Sequence, residues 1–141
     1  MKVLVAIDGS ENALRALSYV LDHEKFFSAS PELVLVNVHL PLPSSRARAV
    51  LGSDVIEKYY KDEAEEALAS ARALLAGKPC RAIERSLVGE PASQIIAVAQ
   101  RERCDLIVMG TSGRSALGNL LLGSVAMRVI ATSAVPVLSI K

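Results

Sequence analysis

Near the C-terminus the sequence reads Gly110-Thr-Ser-Gly113, nine further residues, then Gly123-Ser124. This stretch directly follows the apolar run Asp105-Leu-Ile-Val-Met109. A strand that empties into glycines and then a helix is a way for backbone to build an anion pocket. Glycine lets main-chain N–H groups approach phosphate oxygens, and the helix N-terminus adds unpaired donors and a partial positive charge. A second candidate, Asp8, ends the apolar run Val3–Ile7 at the other end of the chain. Alone, the glycines suit tight turns and Asp8 suits a helix start. Their meaning depends on whether the fold brings them together.

The elements that must do so alternate along the chain. Val3–Ile7 is a continuous apolar run, as expected of a strand buried on both faces. Ser10 then caps a helix to about Phe27, with Ala13, Leu14, Leu17, Val20 and Leu21 as its inward stripe. Leu33–His39 is the second strand. Leu40–Ser53 is a long loop carrying Pro41, Pro43, Arg46 and Arg48, and loops of that length are often functional. Asp54-Val-Ile-Glu57 reads as a capping-box variant opening a helix to about Ala76. Its charged outer face, with Lys58/Asp62 and Lys61/Glu65, is a solvated one. A third strand lies near Ala82–Leu87. Gly89-Glu90-Pro91 starts a third helix that turns Ala92, Ile95, Ile96 and Ala99 inward. Asp105–Met109 is the fourth strand, Ser124 to about Ala131 the fourth helix, and Pro136–Ile140 the fifth strand.

This βαβαβαβαβ order predicts one α/β domain over residues 1–141: an open five-stranded parallel sheet with helices on both faces. Ligands of such sheets sit outside the strand C-termini where the strand order reverses. With the order 3-2-1-4-5, strands one and four are neighbours there, and Asp8 comes opposite Gly110–Gly113.

Composition narrows the rest. Of the 141 residues, 51% are hydrophobic but only 4% aromatic, so the core is aliphatic. Sixteen basic residues against 15 acidic ones give a formal net charge of +1. With three Tyr, two Phe and no Trp, the chain has neither the charge nor the stacking platforms of a nucleic-acid binder. Cys80 and Cys104 are isolated and read as reduced thiols. Val3–Ile7 is too short for a signal-peptide core, and Val125–Ile140 is interrupted by Arg128 and Pro136. A soluble cytoplasmic protein is expected. His39 reads as a solvent-exposed strand end, and His23 suggests nothing. No Walker A lysine, carboxylate pair or Ser/His/Asp arrangement offers dedicated catalysis.

The opening Val-Leu-Val-Ala-Ile-Asp8-Gly-Ser10, the Val-Met-Gly-Thr-Ser-Gly113 segment, Leu-Leu-Leu-Gly123-Ser-Val-Ala-Met-Arg-Val-Ile and the final Pro136-Val-Leu resemble the universal stress protein family. The likeness covers essentially the whole chain. Gly110, Gly113, Gly123 and Ser124 meet in full the glycine spacing of the family's ATP-binding subgroup. The resemblance implies an adenine nucleotide alpha hydrolase-like fold and an ATP site, with AMP or ADP as alternatives and Mg accompanying the nucleotide near Asp8 and Ser124.

Residue roles follow by the same resemblance. Asp8, beside Ala6 and Ile7, would accept hydrogen bonds from the ribose hydroxyls. Val38 and Met109 would pack on adenine. Gly110 and Gly113 would let backbone approach ribose and phosphates. Gly123, Ser124, Val125 and Ala126 would present N–H groups, with the Ser124 hydroxyl as an extra donor. Relatives often carry a hydroxyl residue where Ala126 stands, so one phosphate contact is lost while its N–H survives. Arg114 either adds charge to the phosphates or is a solvated spacer residue. The family typically pairs through its last strand, which implies a homodimer through Val137, Leu138 and Ile140. Three functional readings stand: an ATP-binding regulatory or stress-response module with little or no turnover, a slow ATPase or phosphoryl-transfer enzyme, and a dimeric assembly module with a vestigial pocket.

Overall fold

In the computed structural model, residues 1–23, 25–27, 31–42, 52–113 and 122–141 are described. Nine elements follow in order: β1 (Lys2–Ala6), α1 (Glu11–Asp22), β2 (Glu32–His39), α2 (Ser53–Leu75), β3 (Arg81–Val88), α3 (Pro91–Arg101), β4 (Leu106–Gly110), α4 (Ser124–Thr132) and β5 (Val137–Ile140). All strands pair in parallel in the order β3-β2-β1-β4-β5, as the alternating pattern predicts.

The central strand β1 is wholly apolar because both its faces are covered. Val3 and Val5 point to α1 and α2, where they pack with Leu17, Val20, Phe27, Leu33, Leu35 and Leu68. Leu4 points the other way, to a cluster built with Val34, Val36, Ile95, Val98, Ile107 and Val129 under α3 and α4. Burying such side chains stabilises by about 1.5–3 kcal/mol each relative to leaving them in water. Helices that follow β1 and β2 therefore lie on one face, and those that follow β3 and β4 on the other. The face changes between β1 and β4, which opens a cleft at their C-terminal ends.

Several boundaries differ from the sequence expectation. Helix α1 stops at Asp22, short of Phe27. His23 caps it, its backbone N–H donating to Tyr19 O at 3.1 Å, and the chain turns so that Phe27 is fully buried. The Asp54 capping box does not form. Gly52, at φ +78°, takes the N-cap position, and Asp54 falls inside the first turn, where Ser53 Oγ donates to its carboxylate. Glu90 and Pro91 do open α3: the Glu90 carboxylate accepts from the N–H groups of Ala92 and Ser93 at 3.2 and 2.9 Å. On the outer face of α2, Glu65 pairs with Arg72, which also reaches Glu84 and so ties α2 to edge strand β3. Among the described residues, no helix is long and apolar enough to cross a membrane.

Candidate functional site

A cavity of about 530 Å³ opens at the β1–β4 switch point. That size suits a small organic ligand. Its first wall comes from the end of β1 and the turn into α1: Ala6, Ile7, Asp8 and Ser10. The second comes from β4 and the glycine strap: Met109, Gly110, Thr111, Ser112 and Gly113. Gly123, Ser124, Val125 and Ala126, at the start of α4, form the third. Val36, Val38, His39 and Leu40 from β2, with Pro91 and Ile95 from α3, close the apolar end.

Eleven of the expected site residues, Ala6, Ile7, Asp8, Val38, Met109, Gly110, Gly113, Gly123, Ser124, Val125 and Ala126, thus converge on one cavity. Arg114 lies outside the described residues, as do Arg46 and Arg48. Sequence reasoning missed Ser10, Val36, Leu40, Ile95, Thr111 and Ser112. Of these, Val36 and Ile95 carried a signal, because alternation along β2 puts Val36 on the same face as Val38 and Ile95 belongs to the α3 inward stripe. His39 is half-buried, with its ring 6.3 Å from that of Tyr60. The reading of it as a solvent-exposed strand end is corrected: α2 packs over the end of β2 and covers it.

The turn that carries Asp8 is fixed from several sides. The Ser10 N–H donates to Asp8 Oδ1 at 3.0 Å, and Ser10 Oγ caps α1 by accepting from the Ala13 N–H at 3.2 Å. Buried Asn37 donates through Nδ2 to the Ile7 carbonyl at 2.8 Å, and the Ile7 N–H donates to Val36 O at 2.8 Å. Gly9, at φ +79°, lets the chain turn against Ala67. The Asp8 carboxylate is held at the rim of the cavity and half-exposed.

The three motif glycines serve a purpose the spacing did not reveal. None has a positive φ; each lies where protein approaches protein. A Cβ on Gly110 would come within 2.8 Å of the Asn12 backbone, one on Gly113 would overlap Asp8 Oδ2, and one on Gly123 would lie 3.3 Å from Ser112 Cα. The Gly123 N–H donates to Thr111 O at 2.6 Å. Gly123 therefore does not offer a free donor, a correction to the expected role, because that bond ties the start of α4 to the strap. The donors that remain at the helix start belong to Ser124, Val125 and Ala126, since the first N–H groups of a helix lack intrahelical acceptors and the ladder begins with Met127 N–H to Gly123 O at 2.9 Å. Ser124 is exposed, whereas the Ala126 side chain is buried, so only its N–H can serve a ligand.

Apart from Asp8 and the imidazole of His39, the described cavity wall carries no ionisable side chain. It pairs an apolar slot with one hydrogen-bond-accepting carboxylate and a set of backbone donors at a helix N-terminus. These features define a doubly wound α/β protein with a cavity at its topological switch point, lined by a carboxylate and a helix N-terminus.

The sequence profile of the Universal stress protein family matches residues 1–141, and the chain belongs to that family. A universal stress protein of Methanocaldococcus jannaschii is 34% identical over 141 residues, covering 99% of this chain and 81% of the relative. A universal stress protein of Thermus aquaticus is 37% identical over 142 residues, covering 99% and 97%. Among solved structures, a universal stress protein in complex with cAMP is 31% identical with a TM-score of 0.65, covering 100% of this chain and 97% of that one. The universal stress protein of Archaeoglobus fulgidus in complex with dAMP is 26% identical with a TM-score of 0.66, covering 100% and 98%.

Proposed function

We propose that this chain is a nucleotide-dependent regulatory module of the stress response that binds an adenine nucleotide, with ATP as the first candidate and AMP or ADP as alternatives. The observation that carries the reading is the convergence of the Asp8 carboxylate, the α4 N-terminus and an apolar slot on one cavity. A nucleoside phosphate needs the same three things. The base enters the slot between Val38 and Met109, the sugar hydroxyls donate to Asp8, and the phosphates accept from the N–H groups of Ser124, Val125 and Ala126. Relatives in complex with cAMP and dAMP support the adenine class.

In this reading the phosphates are held by backbone, with Gly110 and Gly113 putting no side chain at the two ends of the strap. Arg114 would add its charge to this end. Among the described residues no three His, Cys, Asp or Glu side chains converge on a metal position. Magnesium would therefore arrive on the phosphates, with Asp8 and Ser124 as its nearest oxygen groups. Such a site grips a nucleotide without a general base aimed at a water, and turnover is slow or nil. The protein acts in the cytoplasm through what its bound state lets it assemble with.

Assembly is proposed to occur through β5 as a homodimer. The strand is at the sheet edge, and Val137, Leu138 and Ile140 are half-buried there. Ile140 O accepts from the Thr111 N–H at 2.8 Å, so the proposed interface lies one hydrogen bond away from the glycine strap.

The test is to denature freshly purified protein and identify released small molecules by mass spectrometry, with calorimetric titration of Mg-ATP, Mg-ADP and AMP beside it. Release or saturable binding of an adenine nucleotide supports the reading. An empty protein that also fails all three titrations overturns it.

A further inference from the structure

The two halves of the cleft come from segments about a hundred residues apart, and their ladder ends early. Pairing between β1 and β4 runs from Val3↔Leu106 to Val5↔Val108. Beyond it, among the described residues, the Asp8 turn and the Gly110–Gly113 strap leave the sheet with no further ladder pair between β1 and β4. Yet a ligand that bridges both halves is held only if their separation is fixed, because a loose site must spend binding energy on ordering itself.

Besides Asp8, which abuts Gly113, the side chain of Asn12 crosses this gap. Asn12, in the first turn of α1, donates through Nδ2 to the Ser112 carbonyl at 3.2 Å and to Ser112 Oγ at 2.5 Å. Its Oδ1 accepts from Arg15 Nη2 at 2.7 Å. The chemistry of the two neighbours fixes which way the amide faces. A guanidinium only donates and a carbonyl only accepts, so the oxygen must meet Arg15 and the nitrogen must meet Ser112. Gly110 completes the contact, since any Cβ there would meet the Asn12 backbone and side chain at 2.8 Å and push α1 away from the strap.

We infer that Asn12 is a positioning residue: a directional latch, oriented by Arg15, that holds the glycine strap against α1 and so keeps Asp8 and the phosphate-facing backbone in register. The inference rests on the nucleotide reading above for its functional consequence. Asn12 need touch no ligand. It acts by fixing Ser112, whose neighbour Gly113 abuts Asp8.

A near-isosteric substitution separates this role from a merely structural one. In Asn12→Asp the oxygen facing Arg15 is kept and gains charge. The other oxygen now faces the Ser112 carbonyl, acceptor against acceptor, and keeps only the bond that the Ser112 hydroxyl can donate to it, so half of the latch is lost. A carboxylate in the first turn of a helix is favourable for the helix itself. Stability and latch therefore move apart, which a packing role would not produce. Asn12→Leu, of similar size and neutral, removes the latch without placing a charge near the phosphates.

The experiment combines three readouts on the full chain: thermal melting, amide hydrogen exchange at Thr111 and Gly123 without nucleotide, and calorimetric titration with the adenine nucleotide that binds the wild type. The latch predicts a melting temperature for Asn12→Asp equal to or above wild type. It predicts exchange at Thr111 and Gly123, whose N–H groups are the bonded ones of this segment, at least tenfold faster in Asn12→Leu and faster by less in Asn12→Asp, with affinity weakened in the same order. Wild-type exchange in the variants overturns it. So does accelerated exchange with unchanged affinity, and so does an affinity loss confined to Asn12→Asp, which would mark charge repulsion. A wild type that binds no nucleotide defeats the ligand reading instead, and exchange in the free protein then decides the latch.

Discussion

Gly113 abuts Asp8 so closely that a Cβ at position 113 would overlap the Asp8 carboxylate oxygen Oδ2. The two residues stand at opposite ends of the sequence, and their contact is where the carboxylate half of the cleft meets its backbone half. The glycine motif is thus a statement about clearance as much as about a ligand.

The three glycines should consequently fail in different ways. Gly110→Ala places a methyl against the backbone of α1, which cannot yield, and should cost about 1–3 kcal/mol of stability as an overpacked site does. Gly113→Ala displaces only the end of the Asp8 side chain. It should keep the fold and weaken adenine-nucleotide binding at least tenfold, roughly 1.4 kcal/mol. Gly123→Ala meets Ser112 Cα at 3.3 Å and should be mildest in both respects. Thermal melting beside calorimetry for the three variants checks the ordering. Equal losses of stability in all three would contradict it.

Asn37 is nearly fully buried and gives its Nδ2 to the Ile7 carbonyl, one residue before Asp8, while its Oδ1 has no partner among the described residues. Asn37→Ala leaves the Ile7 carbonyl buried and unsatisfied. A destabilisation of about 1–3 kcal/mol is expected in denaturant unfolding. A neutral result would mean that the turn is held by the Ile7–Val36 bond alone.

Glu90 caps α3, and its carboxyl is held below the usual carboxylate range. The causes, largest first, are the hydrogen bond from the Ser93 hydroxyl, that from the Ser93 N–H, that from the Ala92 N–H, and the Arg128 guanidinium. Burial acts in the opposite direction. A depressed folded-state pKa means stabilisation that is fully present above the unfolded value, near 4.5, and is lost as pH falls through the lower folded value. Glu90→Ala should cost about 1 kcal/mol at pH 7, as cap losses do. The gap from wild type should narrow as the pH is taken below 4. A gap independent of pH would show that the charge is not what caps the helix.

In β5, the carbonyls of Pro136 and Ile140 face β4, accepting from Ile107 and Thr111. Alternation along the strand then turns the N–H groups of Val137 and Ser139 to the open edge. Ser139→Pro removes an outward donor and spares the bonds to β4. Light scattering should find the wild type dimeric at micromolar concentration and this variant monomeric. A monomeric wild type would remove β5 as the pairing edge.

Much of this architecture was legible in the sequence because it rests on local signals. Val3–Ile7 and Leu33–Val36 are apolar without alternation, which only strands buried on both faces require. Glu90-Pro91 announced α3, and the strand order followed from connectivity once the helices were placed. The converging site residues were legible for the same reason, since Asp8 and Gly110 both end strands that the order makes neighbours. Tertiary choices were not legible. Whether α1 runs to Phe27 depended on the burial that Phe27 gains by leaving the helix. The Gly52 N-cap overrode the Asp54 box because a left-handed φ at Gly52 starts the helix two residues earlier. The partners of Gly110 and Gly123, and the bond from Asn12 to Ser112, depend on approaches between distant segments that no spacing encodes.

The most direct test of the account is calorimetric titration of wild type and Gly113→Ala with the same adenine nucleotide, both shown folded by melting. The account predicts saturable one-site binding by the wild type and at least a tenfold loss in the variant. Equal binding by the two proteins would contradict the site at the Asp8–Gly113 contact, and absence of binding by the wild type to ATP, ADP and AMP alike would contradict the nucleotide reading itself.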